Sequence, residues 1–220
     1  MSSTANRLKY LDAIGVQVWE ERVTTAEPIA EDFNAPIVAQ DLNQLYTQAD
    51  ACGRCEASQS RKKIVFGDGS VNVDWFIVGG FPAEQDEAQG QAFTGRHGHL
   101  LADMLSAIGV NKTATYQTTS VKCRAHNDEE NAADMAACRQ YLLRQIELVS
   151  PRAVLVLGEK AAQSLLGSKQ TINELRGKVH ILDGVTSAVI VSHSLNHLMQ
   201  SGLSKMQTWQ DLKLAKNALS

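Results

Sequence analysis

The residues of this chain best placed to do chemistry together are its four cysteines: Cys52 and Cys55, two residues apart, and Cys123 and Cys138, with fourteen residues between them. Two thiols at the tighter spacing can hold one metal centre from a single turn, and soft thiolate ligands select zinc or an iron-sulfur cluster. A zinc ribbon supplies two close pairs. The wider second pair is less ribbon-like, so zinc and iron-sulfur both stand as readings of the spacing. The alternative is that some of these cysteines are small core hydrophobes. That reading has most force for Cys138, which falls within a helical pattern, and least for Cys52 and Cys55 in a polar segment. His97, His99 and His197 carry no spacing that demands a metal. Glu84, Asp86 and Glu87 offer carboxylates that could serve a pocket at their loop, although the ordinary state of acids in a polar loop, solvation, is the expectation.

The elements that must position these residues follow an α/β grammar. A helix from Asp41 to Ala51 leads into Cys52 and Cys55. Ile64 to Phe66 reads as a short strand closing in the turn Gly67 to Ser70, whose glycines need no ligand to explain them. Trp75 to Val78 is a compact apolar run stopping at Gly79 and Gly80, the pattern of a buried parallel strand. From Phe81 to His97 there is little periodicity. A ligand pocket is expected at this loop, because ligands in open α/β sheets sit outside the carboxyl ends of strands. Helices are expected over 98–108, 131–149, 158–166 and 205–219, and strands over 116–121, 153–157 and 189–191. Cys123 then follows a strand end and Cys138 lies in a helix. The alternation implies a three-layer α/β/α sandwich with a mostly parallel central sheet.

At 220 residues and 44% hydrophobic, the chain suits one sizeable core with an appendage. The net charge of -3 favours no polyanion partner globally, so nucleic-acid contact must be local. Arg54, Arg61, Lys62, Lys63 and Arg96 are the basic residues available for it. No apolar run approaches a bilayer span, and Met1 to Arg7 lack a signal-peptide core, so a cytoplasmic protein with reduced cysteines is expected. Residues 1–36 form an N-terminal segment and tether. Leu8, Leu11 and Ile14 share a helical face beside Tyr10, with Val16 and Trp19 following, before an acidic stretch broken by Pro28 and Pro36. The main domain is expected over 37–220.

From Cys52 to Leu212 the chain resembles the iron-sulfur uracil-DNA glycosylases, family 4 of that superfamily. The likeness rests on an ordered series: Cys52-x-x-Cys55, Arg61 to Gly69, Gln89-Gly90, Phe93-x-Gly95-Arg96-x-Gly98-x-Leu100-Leu101, Val121-Lys122-Cys123-Arg124 and Cys138-x-x-Tyr141-Leu142. Gln145-Ile146, Pro151, Leu157-Gly158, Leu175-Arg176-Gly177 and His193 continue it. This resemblance implies a [4Fe-4S] cluster on Cys52, Cys55, Cys123 and Cys138. It also implies a base pocket in which Phe93 stacks. Other pocket positions depart from the family. Gly80 stands where an acidic residue is usual, and Phe81 adds bulk beside it. Thr119 replaces an asparagine that reads the uracil edge, and a hydroxyl cannot reproduce an amide's paired donor and acceptor. Ser194 follows His193 in place of proline. A degenerate pocket of Gly80, Phe81, Phe93, Thr119 and His193 is therefore expected, with absent or vestigial activity and His193 catalytic only if the site is active.

Leu8 to Trp19 resembles the N-terminal segment of the psi subunit of DNA polymerase III. That likeness implies that Leu8, Tyr10, Leu11, Ile14, Val16 and Trp19 bind the chi subunit and that the domain behind them docks on the clamp loader. The expectation is thus a non-catalytic replication protein with a structural cluster, contacting DNA directly or through partners. A uracil-DNA glycosylase of base excision repair with an altered site is the alternative.

Overall fold

The computed structural model describes residues 37–124 and 131–219. The expected N-terminal segment and tether, with Leu8, Tyr10, Leu11, Ile14, Val16 and Trp19, lies outside these residues.

The elements in chain order are α1 (Leu42–Asp50), α2 (Glu56–Ser60), β1 (Asp68–Gly69), β2 (Trp75–Gly79), α3 (Glu84–Gln89), α4 (Gly95–Ala107), a 3-10 turn (Lys112–Ala114) and β3 (Thr115–Thr119). They continue with α5 (Ala132–Val149), β4 (Ala153–Leu157), α6 (Glu159–Leu166), α7 (Ile172–Leu175), β5 (Val179–Leu182), β6 (Val185–Ser192), α8 (Leu195–Gln200) and α9 (Gly202–Asn217). The six strands form one sheet in the order β1-β3-β2-β4-β6-β5. The four inner strands run parallel, and each edge strand is antiparallel to its neighbour. β2, β3 and β4 are buried along their whole length.

Alternation along β2 separates the two cores. Trp75 and Ile77 face a cluster with Leu101, Leu105, Leu198 and Leu212 from α4, α8 and α9. Phe76 and Val78 face Leu142, Ile146, Ala161 and Leu165 from α5 and α6. This is the expected three-layer sandwich, since a sheet with two apolar faces must be covered on both.

Two local expectations are corrected. Ile64 to Phe66 is not a strand. The Phe66 carbonyl accepts from the Thr118 hydroxyl (2.7 Å) and the Gln145 amide (2.8 Å), so side chains replace a ladder there. Strand pairing begins only at Asp68 and Gly69, against Gln117 and Tyr116. A Cβ on Gly69 would lie 2.2 Å from the Thr115 carbonyl oxygen, which explains the glycine by close backbone approach. The loop after Gly80 contains a helix, α3, capped by left-handed Gly90. Finally, α7, β5 and α8 are short elements without a legible period.

Candidate active site

The sequence leaves β2 toward β3 on one side and reaches β4 on the other, so the crossover direction changes around β2. At the carboxyl ends of these three strands lies a cavity of about 360 Å³, at the kind of switch point where α/β sheets hold ligands. Gly79, Gly80, Phe81 and Ala83 line it after β2, Thr119 after β3, and Leu157, Gly158 and Glu159 after β4. Phe93 and His97 enter from the start of α4, and Ser194 and Asn196 from the start of α8.

Phe93 is held in an unusual state. Its φ is +53°, in the left-handed region that bulky residues avoid, and its side chain is buried. The ring covers Gly79 so closely that a Cβ there would lie 2.8 Å from Phe93 Cε1. Lys112 Nζ reaches the Phe93 carbonyl oxygen at 3.4 Å.

Asp86 maintains the loop that delivers this ring. Its Oδ1 accepts from the Thr94 backbone N–H (2.7 Å) and hydroxyl (2.6 Å), and its Oδ2 accepts from the Ala83 N–H (3.0 Å). One carboxylate thereby joins both ends of the 83–94 loop. Glu87 accepts from the Lys62 N–H at 2.9 Å. Both acids are buried, at 5% and 4% exposure, so the expectation that they are solvated is corrected. A periodic reading could not find this, because the burial is created by donors distant in sequence. Asp86 and Glu159 are also among the residues lining the cavity, their carboxylates bonded to the loop donors above and to the Ile172 N–H, although Gly80 itself carries none.

Thr119 lines the cavity, but its hydroxyl donates to the Val65 carbonyl at 3.3 Å. His193 is buried behind the site and is not among the lining residues. Its Nε2 pairs with Gln207 Oε1 at 2.8 Å, and its ring stacks on His197 at 5.0 Å between centroids. Nearby, Arg176 and Asp211 form an ion pair at 2.9 Å, and Ser192 donates to Asp211 at 2.8 Å. These contacts lock α9 to the end of β6.

The four cysteines converge behind Phe81. Cys52, Cys55 and Cys123 share one apolar cluster and Cys138 another, with Phe81 packed against both. Hydrogen bonds from Cys123 and Cys138 hold the Cys55 thiol far below the ordinary range; the same bonds, with burial, raise the other two. Arg61 donates to the Cys52 carbonyl (2.8 Å), to Cys123 Sγ (3.3 Å) and to the Asp50 carbonyl. Lys122 is fully buried on Thr118 and the Thr119 carbonyl, and burial lowers it to about 7. Among the described residues, no three His, Cys, Asp or Glu side chains form the ligand set of a single ion. The donors themselves are all thiols, which suits a soft, sulfur-bound centre. Of the basic residues considered for DNA, Arg61 turns inward to this pocket and Lys63 donates to the Gln89 carbonyl at 3.0 Å.

Comparison with known proteins bears directly on this geometry. The family model described as the uracil DNA glycosylase superfamily matches residues 66–213. The chain belongs to this superfamily. Among its relatives is the type-4 uracil-DNA glycosylase of Pyrobaculum aerophilum, 32% identical over 145 residues, covering 64% of this chain and 74% of that protein. Those of Archaeoglobus fulgidus (29% over 146 residues; 64% and 73%) and Thermotoga maritima (33% over 128 residues; 57% and 67%) are similar.

These findings correct the functional expectation. The reading as a psi-like, non-catalytic subunit joining chi to the clamp loader of DNA polymerase III is overturned, and with it the lean against an enzyme. Its support was a likeness over residues 8–19, whereas the superfamily match spans the sheet, the cavity and the closing helix. Each of these relatives is named a uracil-DNA glycosylase.

Proposed function

We propose that the chain is a uracil-DNA glycosylase of base excision repair, with a [4Fe-4S] cluster on Cys52, Cys55, Cys123 and Cys138. The observation that carries the reading is Phe93, held at positive φ over Gly79 inside a cavity at the strand ends. Strain of this kind persists where surrounding structure over-determines a residue, and it clusters at ligand clamps. An aromatic face fixed in a base-sized recess is what an enzyme needs to hold a nucleotide taken out of the stack.

The chemistry required is cleavage of the bond between the sugar C1′ and uracil N1. Uracil departs with the bonding electron pair, and water supplies oxygen to C1′ with loss of a proton. Asp86 and Glu159 are the acids among the lining residues, and a carboxylate near the sugar would stabilise the positive charge that develops there, most in a water-poor site. The cluster supplies a covalent tie between three chain segments when bound. Phe81, packed between the thiols and the cavity, connects that tie to the base pocket. The mixing of protein in excess with uracil-containing single-stranded DNA tests the proposal. Free uracil and an abasic site are expected, and their absence beside an active type-4 relative refutes it.

A further inference from the structure

The polar side chains around the cavity differ in whether their hydrogen-bonding groups are already engaged. Asp86 accepts three donors, and the Thr119 hydroxyl donates to Val65. Glu159 accepts from the Ile172 N–H at 2.7 Å, and Ser194 Oγ accepts from the His197 N–H at 3.3 Å. Lys160 also has a partner. Asn196, exposed, and His97, half-buried, line the same cavity and have no hydrogen bond or ion pair among the described residues.

We infer that Asn196 and His97 make the polar contacts to the extruded base, in place of Thr119 and His193. An amide offers one donor and one acceptor side by side, which complements the N3–H of uracil and an adjacent carbonyl oxygen. Thr119 can present no such pair, and its hydroxyl is held by the Val65 carbonyl. His193 pairs with Gln207 and is not among the lining residues, whereas His97 lines the cavity four residues after Phe93, in the first turn of α4. An imidazole N–H there is suited to the carbonyl oxygen on which charge develops as uracil leaves. Asn196 is thus a specificity residue and His97 a catalytic one.

This inference rests on the glycosylase reading, and the experiment separates the two. Wild-type protein, Asn196→Ala and His97→Ala are compared for single-turnover uracil release, inhibition by free uracil and affinity for abasic-site DNA. Asn196→Ala is expected to lose uracil inhibition and slow release about 10²-fold, and His97→Ala to slow release by a similar factor while retaining more of the inhibition. Abasic-DNA affinity should stay within about threefold for both, which a general structural defect would not permit. Wild-type release with both variants within about threefold of it in rate and inhibition overturns the inference alone. No wild-type release overturns the function beneath it.

Discussion

Phe93 and Gly79 form a pair in which each residue type is required by the other. The ring occupies the space where a β-carbon would stand, so Gly79→Ala must displace it or shift β2. We expect Gly79→Ala to reduce uracil release by about 10²-fold, a magnitude usual for misplacing a substrate-positioning group. Near-wild-type release would show that the ring's position is immaterial. Asp86 acts through the same ring by joining Ala83 to Thr94. Removing a buried carboxylate that satisfies three partly buried donors is expected to cost about 2–4 kcal/mol, measured by urea unfolding of Asp86→Ala. A loss under about 1 kcal/mol would mean that water replaces it readily. At this scale the gathering of the four cysteines around Phe81 and the place of Phe93 at the cavity follow from spacing and motif order written along the chain. The roles of Asp86, His97 and Asn196 do not, since they depend on which donors and acceptors tertiary packing leaves engaged or open.

Among the elements, long periodic segments were readable and short ones were not. The 18-residue helix α5 follows its apolar face closely, with Asn131 accepting from the Ala133 N–H at its start. By contrast, α3, α7 and α8 span six, four and six residues, too few for a period to emerge. The Ile64 to Phe66 segment has the composition of a strand but lies where Thr118 and Gln145 take its carbonyl, and tertiary context overrides propensity there. The attachment of α9 to the segment that follows α7 depends on Arg176 and Asp211, whose side chains are 14% and 0% exposed. Asp211→Ala would leave the guanidinium without its charge partner. The expected loss is about 3–5 kcal/mol, read from the denaturation midpoint. The Arg176→Met, Asp211→Leu double variant should recover much of that loss, and an equally unstable double variant would contradict the account.

For the whole molecule, the sheet supplies the cavity, and the four cysteines lie on three chain segments outside its ladders. Cys52 and Cys55 follow α1, Cys123 follows β3, and Cys138 lies within α5. Anaerobically purified protein is expected to contain iron and acid-labile sulfide in equal amounts and to absorb visible light. Cys123→Ser should lose both contents and melt at a lower temperature, because bridging distant segments restricts the unfolded chain. Unchanged iron in that variant would remove Cys123 from the ligand set. The overall architecture was legible because strand and helix alternate with apolar runs of the right length. The functional expectation fails because a likeness over residues 8–19 is short beside a superfamily match over residues 66–213. Gly80 and Thr119 stand at a cavity that Asp86, Glu159, His97 and Asn196 also reach from other elements.

The central claim, that this cavity releases uracil, is tested most directly by single-turnover assay of cluster-loaded protein in excess over single-stranded DNA with one uracil. An active type-4 relative serves as the control. The account predicts release of free uracil, leaving an abasic site, with the rate strongly reduced in Asn196→Ala. Intact uracil-containing DNA after prolonged incubation, while the control runs to completion, would contradict it.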